Sequence, residues 1–112
     1  MAVPFYDTLE ATPIDGLSCL VEVERIYGLD WDRFDDEHWR VLTRIYEGQP
    51  GAVPYHDVPW WFGDDEGVPP FLWASVEPPG LQVYGVLPEA DWWAWDEHFR
   101  EAAGGLPSRM RR

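Results

Sequence analysis

Gly48, Pro50, Gly51, Pro54, Pro59 and Gly63 punctuate the middle of this chain so closely that no long helix or strand can run through residues 48–70. Proline lacks the amide that both ladders need, and glycine loses the most backbone freedom when ordered. A structured loop is expected there. Within it, Val58-Pro59-Trp60-Trp61-Phe62 is a short apolar run suited to an edge strand, and Asp64-Asp65-Glu66-Gly67 has the composition of an acidic turn.

The segments on either side are more regular. Phe71–Val76 and Leu81–Leu87 flank Glu77-Pro78-Pro79-Gly80, which predicts a β-hairpin over 71–87. Pro88-Glu89-Ala90-Asp91 opens a helix expected to run to about Ala103, where Gly104, Gly105 and Pro107 close it. Upstream, Asp35 or Asp36 can cap a helix over 34–47, whose apolar residues Phe34, Trp39, Leu42, Ile45 and Tyr46 recur at helical spacing.

Residues 13–27 admit two readings. Thr12-Pro13-Ile14-Asp15 resembles a capped helix start followed by Leu17, Leu20, Val21 and Tyr27, so helix 13–27 is one expectation. Alternation of Cys19, Val21 and Val23 with Leu20, Glu22 and Glu24 is explained equally by a strand over 18–27. The expected fold is α+β: a small antiparallel sheet, made of the 71–87 hairpin plus one or two short strands, packed against two or three helices. One acidic domain over 1–106 would be followed by a flexible basic tail, 107–112.

Charge limits the partners such a domain can have. Twenty-one carboxylates face eight arginines, for a formal net charge of −13, and residues 1–108 hold all 21 acids against 5 arginines, a net of −16. With 46% hydrophobic and 16% aromatic residues, including eight tryptophans, the chain can still build a core. Acidity therefore does not imply disorder here. The field repels phosphate backbones and anionic membranes, so direct nucleic-acid or membrane binding is not expected. Met1 to Tyr6 has no basic region leading into an apolar run, and the lone Cys19 suggests a small buried hydrophobe. A cytoplasmic setting is expected. Neither lysine nor asparagine occurs, a bias typical of GC-rich bacterial or phage coding sequence.

Catalytic patterns are sparse. Among His38, His56 and His98, only Asp35 and His38 approach a helical metal-ligand spacing, and Asp64–Gly67 lacks the alternating ligands of a calcium loop, so neither metal nor cofactor is expected. Ser18, Ser75 and Ser108 lie in no nucleophile-elbow context, and there is no phosphate-binding glycine loop. Trp60, Trp61 and Trp73 with Asp64 could line a small carboxylate-dependent hydrolase site. That is the lesser alternative to a protein that is not an enzyme.

Binding remains. Carboxylates displayed at helical spacing can imitate duplex phosphates and occupy a cationic surface. The candidate contact residues are Asp30, Trp31, Asp32, Asp35, Asp36 and Glu37 in one acidic run, and Trp60, Trp61, Asp64, Asp65 and Glu66 in a second. Tryptophans supply desolvated anchors and acids supply steering. The expected function is a non-catalytic inhibitor, monomeric or homodimeric, that blocks a basic protein such as a nuclease or CRISPR effector. In size and charge alone the chain is like nuclease-immunity, antirestriction and anti-CRISPR proteins. The alternative is an immunity or accessory protein that holds a non-nuclease toxin or effector through the tryptophan-rich loop.

Two details are left open. Asp36-Glu37-His38-Trp39-Arg40 recurs as Asp96-Glu97-His98-Phe99-Arg100, which suggests two acidic early helical turns, each followed by an inward ring, or alternatively a functional pair of faces. Trp92, Trp93 and Trp95 cannot all face inward from one helix, because neighbouring positions lie about 100° apart.

Overall fold

The computed structural model describes residues 5–13 by their backbone and residues 20–55 and 57–109 in full. Cys19 and His56 lie outside the described residues. The elements run β1 (Phe5–Pro13), β2 (Leu20–Tyr27), α1 (Asp36–Gly48), β3 (Trp60–Trp61), β4 (Phe71–Glu77), β5 (Gly80–Pro88) and α2 (Glu89–Ala102). Single 3₁₀ turns occupy Trp31–Arg33 and Ala103–Gly105. Every strand pairing is antiparallel, and the order across the five-stranded sheet is β1-β2-β5-β4-β3. The fold is α+β, as expected, with the 71–87 hairpin at its centre.

Beyond that hairpin the sheet carries β3, β2 and, outside β2, β1, and residues 20–27 are not helical. They form β2, in register with β5 from Leu20↔Pro88 to Tyr27↔Leu81. Helix 13–27 is therefore corrected to strand over its described part. Strict alternation of burial along β2 is the physical reason: Val21, Val23, Arg25 and Tyr27 are buried, while Glu22, Glu24 and Ile26 stay partly exposed. A helix would have scattered those residues around its circumference.

Both long helices lie where capping chemistry places them. Asp35 caps α1, its Oδ1 accepting the His38 amide at 3.0 Å while His38 Nδ1 accepts the Asp35 amide at 3.1 Å. The spacing that faintly resembled a metal-ligand pair is thus a capping box. Leu42, Ile45 and Tyr46 from α1 and Trp92, Trp95 and Phe99 from α2 share one core with the inward residues of β2, β4 and β5. Gln49, at the end of α1, ties the helices together by donating Nε2 to the Trp95 carbonyl at 2.9 Å.

The echoed pentapeptide has two unrelated uses. Asp36 and Glu37 are exposed in the first turn of α1, whereas Asp96 sits in the second half of α2 and is 2% exposed. Trp39 is exposed and Phe99 fully buried. Of the α2 tryptophans, Trp92 and Trp95 are buried and Trp93 faces outward, as helical geometry requires. Beyond Leu106 the chain is held through Arg109: Asp30 N–H donates to the Pro107 carbonyl, and Arg109 N–H to that of Gly28. Residues 110–112 lie outside the described residues.

Candidate functional site

Antiparallel pairing gives the sheet two chemically different faces. One packs on the helices. The other carries Glu22 and Glu24 from β2, Gln82 and Tyr84 from β5, and Trp73 and Ser75 from β4, with the pairs Glu24↔Tyr84, Trp73↔Tyr84 and Ser75↔Gln82 running across it. Tyr84 Oη donates to Glu22 at 2.6 Å, Gln82 donates to Glu24, and Ser75 Oγ donates to Glu77 at 2.6 Å. The hydrogen bond to Glu22, aided by burial and by the charge of Glu22, pushes the Tyr84 phenol up to about 12.

At the β3 end this face deepens into a groove of about 560 Å³. Trp60, Trp73 and Ser75 contribute its floor residues, Trp60 and Trp73 being cross-strand partners. Residues 54–58 contribute Tyr55 and Asp57, and the acidic turn contributes Asp64 and Glu66. Among the described residues the lining has three carboxylates, three aromatic rings and no cationic side chain. A neighbouring hollow of about 510 Å³ shares Pro54, Tyr55 and Trp60 and adds Glu47.

Local sequence explains how these pieces meet. Phe62 adopts φ of 69°, a left-handed conformation uncommon for a bulky residue, so the chain turns sharply after β3. Gly63 follows because a Cβ there would lie 2.4 Å from the Pro70 carbonyl oxygen. This close approach brings 64–67 alongside β4. Asp65 Oδ1 then accepts the Gly67 amide at 2.9 Å and the Asp65 carbonyl accepts the Val68 amide at 3.0 Å, closing the turn. Glu66 Oε2 in turn accepts the Trp73 indole N–H at 3.1 Å, fixing that ring. On the other side, Phe62 N–H donates to the Gly51 carbonyl and Val53 N–H to that of Trp60, so the loop folds back along β3.

The expected contact residues divide accordingly. Trp60, Asp64 and Glu66 meet in the groove, while Asp65 is spent on the turn beside it. Trp61 is not a surface anchor: it is fully buried, donates Nε1 to the Tyr46 carbonyl at 3.0 Å and packs edge-on to Trp95. Adjacent strand residues point to opposite faces, so Trp60 and Trp61 cannot both be outward.

The first acidic run lies elsewhere and meets cations there. Asp30 caps the 3₁₀ turn and has Arg109 Nε at 3.7 Å, and Arg109 Nη2 is 4.0 Å from Asp32. Glu37 pairs with Arg40 at 2.9 Å and Arg44 at 3.6 Å, and the Arg40 hydrogen bond and charge lower its pKa. The amide of His38 does the same for Asp35. Asp36 stays exposed. Trp31 is turned inward: its Nε1 donates to the Glu77 carbonyl at 2.6 Å and its ring stacks on Trp39 at 5.2 Å.

Sequence reasoning passed over Tyr55, Asp57, Glu22 and Glu24. The alternation in 18–27 carried a signal for the two glutamates; Asp57 had none. No described helix is long and apolar enough to cross a membrane, and no group of three metal-ligating side chains occurs among the described residues. Comparison with protein-family models, curated proteins and solved structures finds no match for this chain.

Proposed function

We propose that this chain is a non-catalytic interaction protein that occupies the basic surface of a protein partner and blocks it, with the tryptophan-lined groove at the β3 end of the sheet as the centre of contact. The observation that carries this reading is the composition of the groove: Asp57, Asp64 and Glu66 beside Tyr55, Trp60 and Trp73, with no cation in the described lining. Exposed carboxylates draw a cationic surface in, and indole rings supply the area that water leaves. The arginines around Asp30, Asp32 and Glu37 make the first run a weaker lure, because part of its field is already offset.

This shifts the emphasis from mimicry of a phosphate ridge towards anchoring by the tryptophan-rich loop. The basic surface of a nuclease, CRISPR effector or toxin is the class of target. A hydrolytic reading draws on the same groove, since Trp60 and Trp73 lie beside Asp64 and Glu66. A general acid, however, needs a carboxyl removed from water, and Asp57, Asp64 and Glu66 are all exposed.

The test is to isolate the partner from native host or phage-infected cells at low and high salt, and then measure binding of two charge reversals by calorimetry. Asp64→Arg with Glu66→Arg is expected to abolish binding, while Asp35→Arg with Asp36→Arg leaves most of it. The opposite ranking would move the contact to the first acidic run. Affinity that collapses with salt favours phosphate mimicry, and affinity that persists favours aromatic anchoring. Turnover of a glycoside or ester panel, lost in the Asp64 and Glu66 variants, would overturn the binding reading.

A further inference from the structure

Among the described residues the groove sets three carboxylates beside three aromatic rings, and two of its donors, those of Trp73 and Ser75, are already in use. The Trp73 indole N–H is turned onto Glu66 Oε2 at 3.1 Å, and the Ser75 hydroxyl donates to Glu77 Oε2 at 2.6 Å. The cavity is lined by Ser75 and by the carboxylate residues Asp57, Asp64 and Glu66, beside Trp60, Trp73 and Tyr55. A ligand that complements three carboxylates and three rings should be cationic, flat-faced and a donor around its edge. Guanidinium is that group: five N–H donors, no acceptor, and a planar cation that stacks on indole.

We infer that the groove is an arginine site, which seats the guanidinium of one partner arginine against Trp60 or Trp73 while its edge donates to Glu66 and Asp64. The inference rests on the proposed binding function and names the residue type that function recognises. The cavity, about 560 Å³, is within the range that buries a small ligand group, and charge complementarity selects the cation. Lysine would meet the same carboxylates as a compact, strongly hydrated point charge, with no flat face for the rings.

The test uses the full chain and three acetylated, amidated tripeptides, Gly-Arg-Gly, Gly-Lys-Gly and Gly-citrulline-Gly, titrated while the indole N–H resonances are followed by NMR. The arginine peptide is expected to shift Trp60 and Trp73 saturably, the lysine peptide to bind about tenfold more weakly, and the uncharged citrulline peptide to leave both unmoved. Glu66→Gln keeps an acceptor for Trp73 and removes the charge, so it should weaken the arginine peptide about tenfold without unfolding the groove. Equal shifts from lysine and arginine, or shifts confined to Trp39 and Trp93, would overturn the arginine assignment. If the arginine peptide fails while the isolated partner still depends on Asp64 and Glu66, this inference falls and the binding function stands. If the peptide binds but no partner depends on those residues, the proposed function falls and the arginine site stands.

Discussion

Arg25 Nη1 lies 2.7 Å from Asp96 Oδ1, joining the inward face of β2 to α2 across 71 residues of sequence. The same carboxylate oxygen accepts the Tyr27 hydroxyl at 2.5 Å, and Asp96 Oδ2 faces Arg100 at 3.3 Å. Arg25 also lies over the Trp92 ring, 5.4 Å from its centroid. Burial, the Asp96 charge and the hydrogen bond together raise the Tyr27 phenol well above its ordinary value. Asp96→Ala leaves the buried Arg25 guanidinium without its α2 carboxylate, and should cost about 3–5 kcal/mol in urea unfolding. Arg25→Met and Tyr27→Phe combined with Asp96→Leu should recover most of that loss, because a matched apolar set needs neither a desolvated charge nor an acceptor for the buried hydroxyl. A triple variant as unstable as Asp96→Ala would show that the buried polar cluster is stabilising in itself.

The three α2 tryptophans should separate sharply. Trp95 is fully buried, stacked on Phe99 at 5.2 Å, whereas Trp93 is 45% exposed with its Nε1 on Glu89. Trp95→Ala should cost about 3–5 kcal/mol. Trp93→Ala, losing an exposed ring and a weak contact with Arg25, should cost less than about 1 kcal/mol. Chemical denaturation of both variants checks the ranking, and acrylamide should quench Trp93 and Trp39 before the buried indoles.

Gly85 is required by its neighbour. It pairs with Leu72, and a Cβ there would lie 2.3 Å from the Phe71 carbonyl oxygen and 2.8 Å from Leu72 Cα. Gly85→Ala must push β4 and β5 apart, at a cost of about 1–3 kcal/mol. Gly105→Ala is the control, since nothing lies within 4 Å of the added methyl. Its effect should stay below about 0.5 kcal/mol. Thermal melts of the two alanine variants would reveal an error if they matched.

The hairpin and both helices were legible because their signals are local: Pro78-Pro79 between two apolar runs, Asp35 ahead of α1, Pro88 ahead of α2. β2 is ambiguous because Thr12-Pro13-Ile14-Asp15 carries a helix-start signal and because its inward row, Val21, Val23, Arg25 and Tyr27, includes a charge that distant Asp96 helps make tolerable. The pentapeptide echo misled for the same reason, since burial of Asp96 is decided by what packs over α2. In the groove, Trp60, Asp64 and Glu66 could be singled out from composition, but Tyr55 and Asp57 join them only through the way the loop folds back on β3. Trp61 is the plain case: composition makes it one patch with Trp60, whereas strand geometry separates them.

Tyr84 provides a probe of the open sheet face. Its hydroxyl donates to Glu22 at 2.6 Å, and ionising it would lose that bond and set two negative groups together, so its pKa is pushed up to about 12. An unfolded tyrosine titrates near about 10. The folded value is the higher one, so Tyr84 contributes stability that is fully present below about pH 10 and lost as pH rises through about 12. Phenolate absorbance should therefore show a late step that disappears in Tyr84→Phe. Glu22→Gln keeps an acceptor but removes the charge, and should bring the step back towards the ordinary range. A step unmoved by Glu22→Gln would mean that burial, rather than the cross-strand carboxylate, holds the proton on this ring.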